Sequence, residues 1–108
     1  MAEPWFDQEF WDDNFGDFDQ EDLDEILEES ITDIAGLLDG IRSGDDDLVA
    51  KNAHKIVSAC GNFGYLQCAE IAANIEQKAK VGDLSENERV RLVDMIERVI
   101  ADLANKSA

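Results

Sequence analysis

Apolar residues return at steps of three and four along residues 20–43: Leu23, Ile26, Leu27, Ile31, Ile34, Leu38 and Ile41. On a helix that spacing lays one apolar stripe along a single face, and it is the wrong period for a strand. Asp22, Glu25, Glu28, Glu29 and Asp33 fill the opposite face. The same period recurs in three further segments. Residues 45–62 carry Val49, Ala53, Ile56, Val57 and Cys60, with Phe63 just beyond. Residues 65–81 carry Cys68, Ile71, Ala72, Ile75 and Ala79, with Ala69 and Ala73 widening the stripe. Residues 86–105 carry Val90, Val93, Ile96, Val99 or Ile100, and Leu103. Stops and starts fall between them. Gly44, Gly64 and Gly82 follow the stripes as helix ends. Asp45–Asp47 supply a cap and an acidic first turn. Ser85 and Glu88 stand at the spacing of a capping box.

Helices of this length are marginal alone in water, so the stripes must pack on one another. Four of them joined by short loops predict an all-α fold, an antiparallel up-down four-helix bundle. At 108 residues the chain suits one such bundle, spanning 20–108, with a distinct segment at 1–19.

That first segment, PWFDQEFWDDNFGDF, holds Trp5, Phe6, Phe10, Trp11, Phe15 and Phe18. Two readings stand. The aromatics at steps of three and four form a short helix laid across the bundle and broken at Gly16. Alternatively, the segment is an acidic aromatic tail that folds on a partner.

Charge divides the chain. Residues 1–47 hold eighteen acids and one base, Arg42, and so carry the whole net charge of -17; the remainder is balanced. Phosphate-backbone binding to nucleic acid is disfavoured by that field; either a basic protein partner is steered by it or the acidity serves solubility. The two cysteines, Cys60 and Cys68, are eight apart with a single histidine in the chain. That spacing argues against a disulfide framework or a zinc site and for buried free thiols. The opening MAEPWFDQEF has neither a basic start nor an apolar run, so no signal peptide, no membrane span and a cytoplasmic setting are expected.

The lone histidine, His54, falls off the apolar stripe. Its helical neighbours are Asp47, Ala50, Lys51, Ser58 and Gly61, all polar or small. The imidazole is therefore expected to stand in solvent on a flat patch. A single surface histidine is ordinarily just a solvated side chain. No triad and no metal set accompany this one. The chemistry left to it is to act as a nucleophile through a free ring nitrogen.

The stretch AHKIVSACGNFGYLQCAEIAANIE resembles the central hairpin of histidine-containing phosphotransfer (HPt) domains. It is most similar to those at the N-terminus of chemotaxis kinases. Ala53, His54, Phe63, Gly64, Ile75 and Glu76 match in register, and GDLSENE fits the following loop. In helix order the resemblance covers about residues 20–105. It implies a four-helix bundle with His54 as phosphoacceptor, exposed midway along the second bundle helix.

The chain departs from the pattern where the family has lysine and glycine three and four residues after the histidine; here stand Val57 and Ser58. Lys51, one turn before His54, is close enough for its ammonium to reach a phosphate. Lys55 lies about 100° round the helix. Ser58 keeps the site small and adds a hydroxyl. The resemblance further implies a phosphorelay protein of the two-component kind with no nucleotide site or cofactor of its own, Mg²⁺ being expected on the receiver-domain partner. A receiver domain or a sensor kinase is the expected partner, and the chain is expected to be a monomer. Beside this stand a non-phosphorylated adaptor or inhibitor using the same face, and, more remotely, an acidic nucleic-acid mimic.

Overall fold

The computed structural model describes residues 5–107, so residues 1–4 of the aromatic segment, Pro4 among them, and Ala108 lie outside the described residues. Five helices follow in order: α1 (Gln8–Phe15), α2 (Gln20–Arg42), α3 (Asp46–Asn62), α4 (Leu66–Lys80) and α5 (Glu86–Lys106). No strand occurs among the described residues. Helix α3 packs on α4, α4 on α5, α5 on α2, and α2 on α3, which closes the ring of a four-helix bundle.

The stripes meet inside that ring. Leu27, Ile34, Ile41, Val49, Ile56, Ala72, Ile96, Val99 and Leu103 are all essentially inaccessible to solvent. Each large aliphatic among them contributes about 1.5–3 kcal/mol by leaving water. Cys60 and Cys68 are buried free thiols, as their spacing suggests. A hydrogen bond with Cys68 and burial push the Cys60 thiol up, which keeps it inert.

The sequence misplaces the start of the α5 stripe. Val90 is 45% exposed, and Leu92 is fully buried instead. Steps of three, as from Val90 to Val93 to Ile96, each lag the helix by about 60°. The observed stripe of Leu92, Ile96, Val99 and Leu103 alternates fours and threes and stays on one face.

The caps form as read. The Asp45 carboxylate accepts from the Asp47 and Leu48 amides at 2.9 and 3.3 Å. Ser85 and Glu88 make the reciprocal capping box. Glu88 is also paired with Lys78, and that pairing, with the Ser85 backbone amide, holds its carboxyl down at about 2. The Arg89 guanidinium reaches from α5 to donate to the Ile41 and Arg42 carbonyls at 3.3 and 3.0 Å. It thereby places a cation on the carbonyl end of α2.

The aromatic segment is the short helix laid on the bundle. Asp7 caps α1 by accepting from the Phe10 amide at 3.0 Å, and α1 ends at Phe15, just before Gly16. Trp11 is buried against Phe6, Phe15 and Phe63. Trp5 and Phe6 close over Tyr65 with ring centroids 5.6 and 5.0 Å apart. The Trp5 indole donates to Asp102 at 2.8 Å, and the Arg98 guanidinium lies 4.0 Å from the Trp5 ring centre. Tyr65 is wholly enclosed, and burial, followed by the Asp102 charge, raises its hydroxyl pKa.

The anchor of this segment is Gly64, at the turn between α3 and α4. It adopts φ +83°, and its carbonyl accepts from the Asp7 amide at 2.9 Å. A Cβ there would lie 3.1 Å from the Asp7 carbonyl oxygen and 3.2 Å from Phe10 Cδ1. Gly64→Ala is therefore expected to cost about 2 kcal/mol, from the left-handed backbone and the displaced segment together. Urea denaturation measures it. A variant as stable as the wild type would show that α1 is not seated on this turn.

Candidate functional site

Helix α3 presents His54 on its outer face, with the side chain 71% exposed. Small neighbours keep that face low: Ala50 lies one turn before, Ser58 one turn after, and a Cβ added at Gly61 would meet nothing within 4 Å. The ring leans against α4. Its Nδ1 lies 3.0 and 3.2 Å from the two carboxylate oxygens of Glu76. Glu76 is the buried charged residue of the core boundary, with a side chain only 11% exposed. The Lys80 ammonium lies 3.0 Å from Glu76 Oε2, the oxygen nearer to the imidazole.

The protonation states follow from these contacts. The Lys80 ammonium, and then the imidazole, hold the Glu76 carboxyl below its ordinary range against the opposing effect of burial. An ionised carboxylate only accepts hydrogen bonds, so Nδ1 must carry the ring proton. In the neutral ring Nε2 then keeps its lone pair, on the side of the ring away from Glu76. A fixed tautomer with its free nitrogen turned outward has the chemistry of a nucleophile.

The pocket around the ring, about 390 Å³, is lined by Ala50, Lys51, His54, Lys55, Glu76 and Lys80. Three lysines surround one carboxylate on a chain whose net charge is -17. Lys51 and Lys55 thus both reach the site, although Lys55 is offset round the helix. Ser58 is exposed one turn beyond His54 and does not line this pocket. Val57 is half-buried on α3 and brings no charge. No group of three or more His, Cys, Asp or Glu side chains able to hold a metal occurs among the described residues.

Glu76 and Lys80 are the site residues that the sequence reading did not single out as functional. Two signals were present: the match of Glu76 to the HPt pattern, and an i,i+4 acid–base pair beside the apolar positions Ala72, Ile75 and Ala79. Nothing in that spacing says that the pair faces His54.

The family model of the Hpt domain matches residues 21–102, which is all of the bundle except its ends. The chain belongs to the Hpt domain family. Its members carry phosphoryl groups on histidine in phosphorelays and interact with receiver domains and kinases. No curated protein and no solved structure matches the chain. The match is to the family as a whole, and the closer likeness to the chemotaxis kinases rests on the sequence resemblance alone. In this Hpt domain no helix is long and apolar enough to cross a membrane, among the described residues.

Proposed function

We propose that this Hpt domain is a phosphocarrier in which His54 Nε2 accepts a phosphoryl group from a receiver-domain aspartate or a sensor kinase and passes it to another receiver. One observation carries the reading: an exposed imidazole whose Nδ1 proton is held by a nearly buried carboxylate. Nε2 attacks phosphorus in line, the Nε2–P bond forms, and the aspartyl oxygen leaves with its electron pair. The ring keeps its Nδ1 proton and becomes an imidazolium, whose charge Glu76 stabilises. This domain supplies nucleophile and orientation, while the partner brings Mg²⁺ and most of the charge compensation. It acts as a monomer in the cytoplasm, where a receiver can dock on the low face of α3.

Lys51 and Lys55 make no ion pair among the described residues, so both are free to meet phosphoryl oxygens. Lys51→Ala is expected to slow acceptance a few-fold, as befits a solvent-exposed charge. The assay mixes the protein with a panel of phosphorylated receiver domains and follows an acid-labile, base-stable phosphate on the chain. An unchanged rate would remove Lys51 from the site.

Val57 favours a second reading, in which the domain binds a receiver through this face without carrying phosphate. Tight binding to a receiver with no transfer from any of the panel would establish that adaptor.

A further inference from the structure

The family's lysine is missing from α3, yet a lysine from the neighbouring helix stands at the site. We propose that Lys80 on α4 is the phosphoryl-compensating cation of this protein, parked on Glu76 until His54 is phosphorylated. The inference rests on the phosphotransfer reading above.

The geometry has three parts. First, the Lys80 ammonium and His54 Nδ1 each lie 3.0 Å from the same oxygen, Glu76 Oε2. The cation therefore waits within about 6 Å of the ring, the most that two contacts of that length allow. Second, side chains on a helix tilt toward its N-terminus. His54 thus leans toward Ala50 and Lys51, and because α4 runs back along α3 from the Gly64 turn, Lys80, one turn beyond Glu76, lies toward that same end. Third, the Lys80 side chain is half exposed, on a flexible four-carbon stem that can swing without disturbing the core. Among the three lysines of the pocket, Lys80 is the one with an ion pair holding it there.

Charge makes the exchange natural. Attack requires the neutral ring, with its lone pair on Nε2, and in that state Glu76 is balanced by Lys80. Attack by Nε2 turns the ring into an imidazolium, which can satisfy Glu76 by itself through Nδ1–H. Lys80 is then released just when two negative charges arrive on Nε2, and it moves from carboxylate to phosphoryl. Each anion has a cation before and after the step. The charged groups lining this pocket are Lys51, Lys55, Glu76 and Lys80, so no other acid there competes for the released ammonium.

The test uses phosphoramidate as a small phosphodonor. Its P–N bond breaks, ammonia leaves with the electron pair, and the phosphoryl group bonds to Nε2. The extent of phosphorylation and the lifetime of the phosphohistidine are followed by ³¹P NMR in the full chain. In Lys80→Met both are expected to fall about two- to fivefold, the scale of a half-exposed ion pair. Lys80→Arg is expected to retain both. Adding Val57→Lys to Lys80→Met is expected to restore them, since it returns a cation to the position where the family carries one. A Lys80→Met protein that matches a phosphorylatable wild type overturns the assignment of Lys80 and leaves the phosphotransfer reading standing. A loss shared by Lys80→Arg and not rescued at position 57 also overturns it, by showing a structural role. A wild type that takes up no phosphate overturns both readings together.

Discussion

His54→Gln is expected to take up no phosphate from phosphoramidate or from any receiver, and to unfold within about 1 kcal/mol of the wild type. Both halves come from the same geometry. A glutamine amide has no nucleophilic nitrogen, so acceptance is lost outright rather than slowed. The fold survives because the imidazole side chain is 71% exposed and its one protein partner, Glu76, keeps Lys80. The glutamine amide can itself donate to that carboxylate, which leaves no buried charge unpaired. The assay is ³¹P NMR of the phosphorylated protein beside urea denaturation of both forms. Residual base-stable phosphate in the variant would move the acceptor away from His54. A loss of several kcal/mol would mean that the ring is part of the core, and would refute its exposed position.

Trp11→Ala is expected to destabilise the whole molecule by about 3 kcal/mol, at the low end for a buried aromatic because the indole is not fully enclosed. Trp11 is 8% exposed and joins Phe6, Phe15 and Phe63 in one aromatic cluster. Phe63 caps α3 and Tyr65 opens the approach to α4, so the cluster sits on the turn that sets these two helices against each other. Removing the indole leaves a cavity at that turn. Urea denaturation followed by circular dichroism is expected to show one cooperative transition with a lower midpoint. A bundle that keeps its midpoint while losing only near-ultraviolet signal would make α1 a detachable strap. Because the same turn precedes the helix carrying Glu76, the variant also reports whether the aromatic segment supports the site: its phosphate uptake is expected to persist below the unfolding transition.

The local features of this fold were legible because they are written in local chemistry. A period of three and four places Leu27, Ile34 and Ile41 on one face whatever the other helices do. Asp45 and Ser85 start helices through their short side chains, and Gly44, Gly64 and Gly82 turn the chain after three of the stripes through their own backbones. The exposure of His54 was legible for the same reason, since it lies off its helix's stripe. Where the pattern was thin the reading slipped: a run of threes at the start of α5 made Val90 look buried and hid Leu92. For the aromatic segment, spacing alone allowed either a docked helix or a free tail. Only the ring contacts to Phe63 and Tyr65 decided for docking.

The sequence by itself determined four amphipathic helices, where they stop, and an imidazole turned outward between small residues. Set beside the pattern it resembles, it carries Val57 where that pattern has lysine. The tertiary structure decided what stands beside that imidazole. Glu76 and Lys80 are 22 and 26 positions away along the chain, and they meet His54 only because α3 and α4 pack antiparallel in one register. That register is a property of the whole core, in which Ala53, Ile56, Cys60, Cys68, Ala72 and Ile75 interlock. A rotation of either helix by one residue, about 100°, would part the carboxylate from the ring while leaving each helix's own pattern unchanged. Helical period is a property of one segment, whereas the tautomer of His54 and the cation waiting beside it are properties of two segments held in contact.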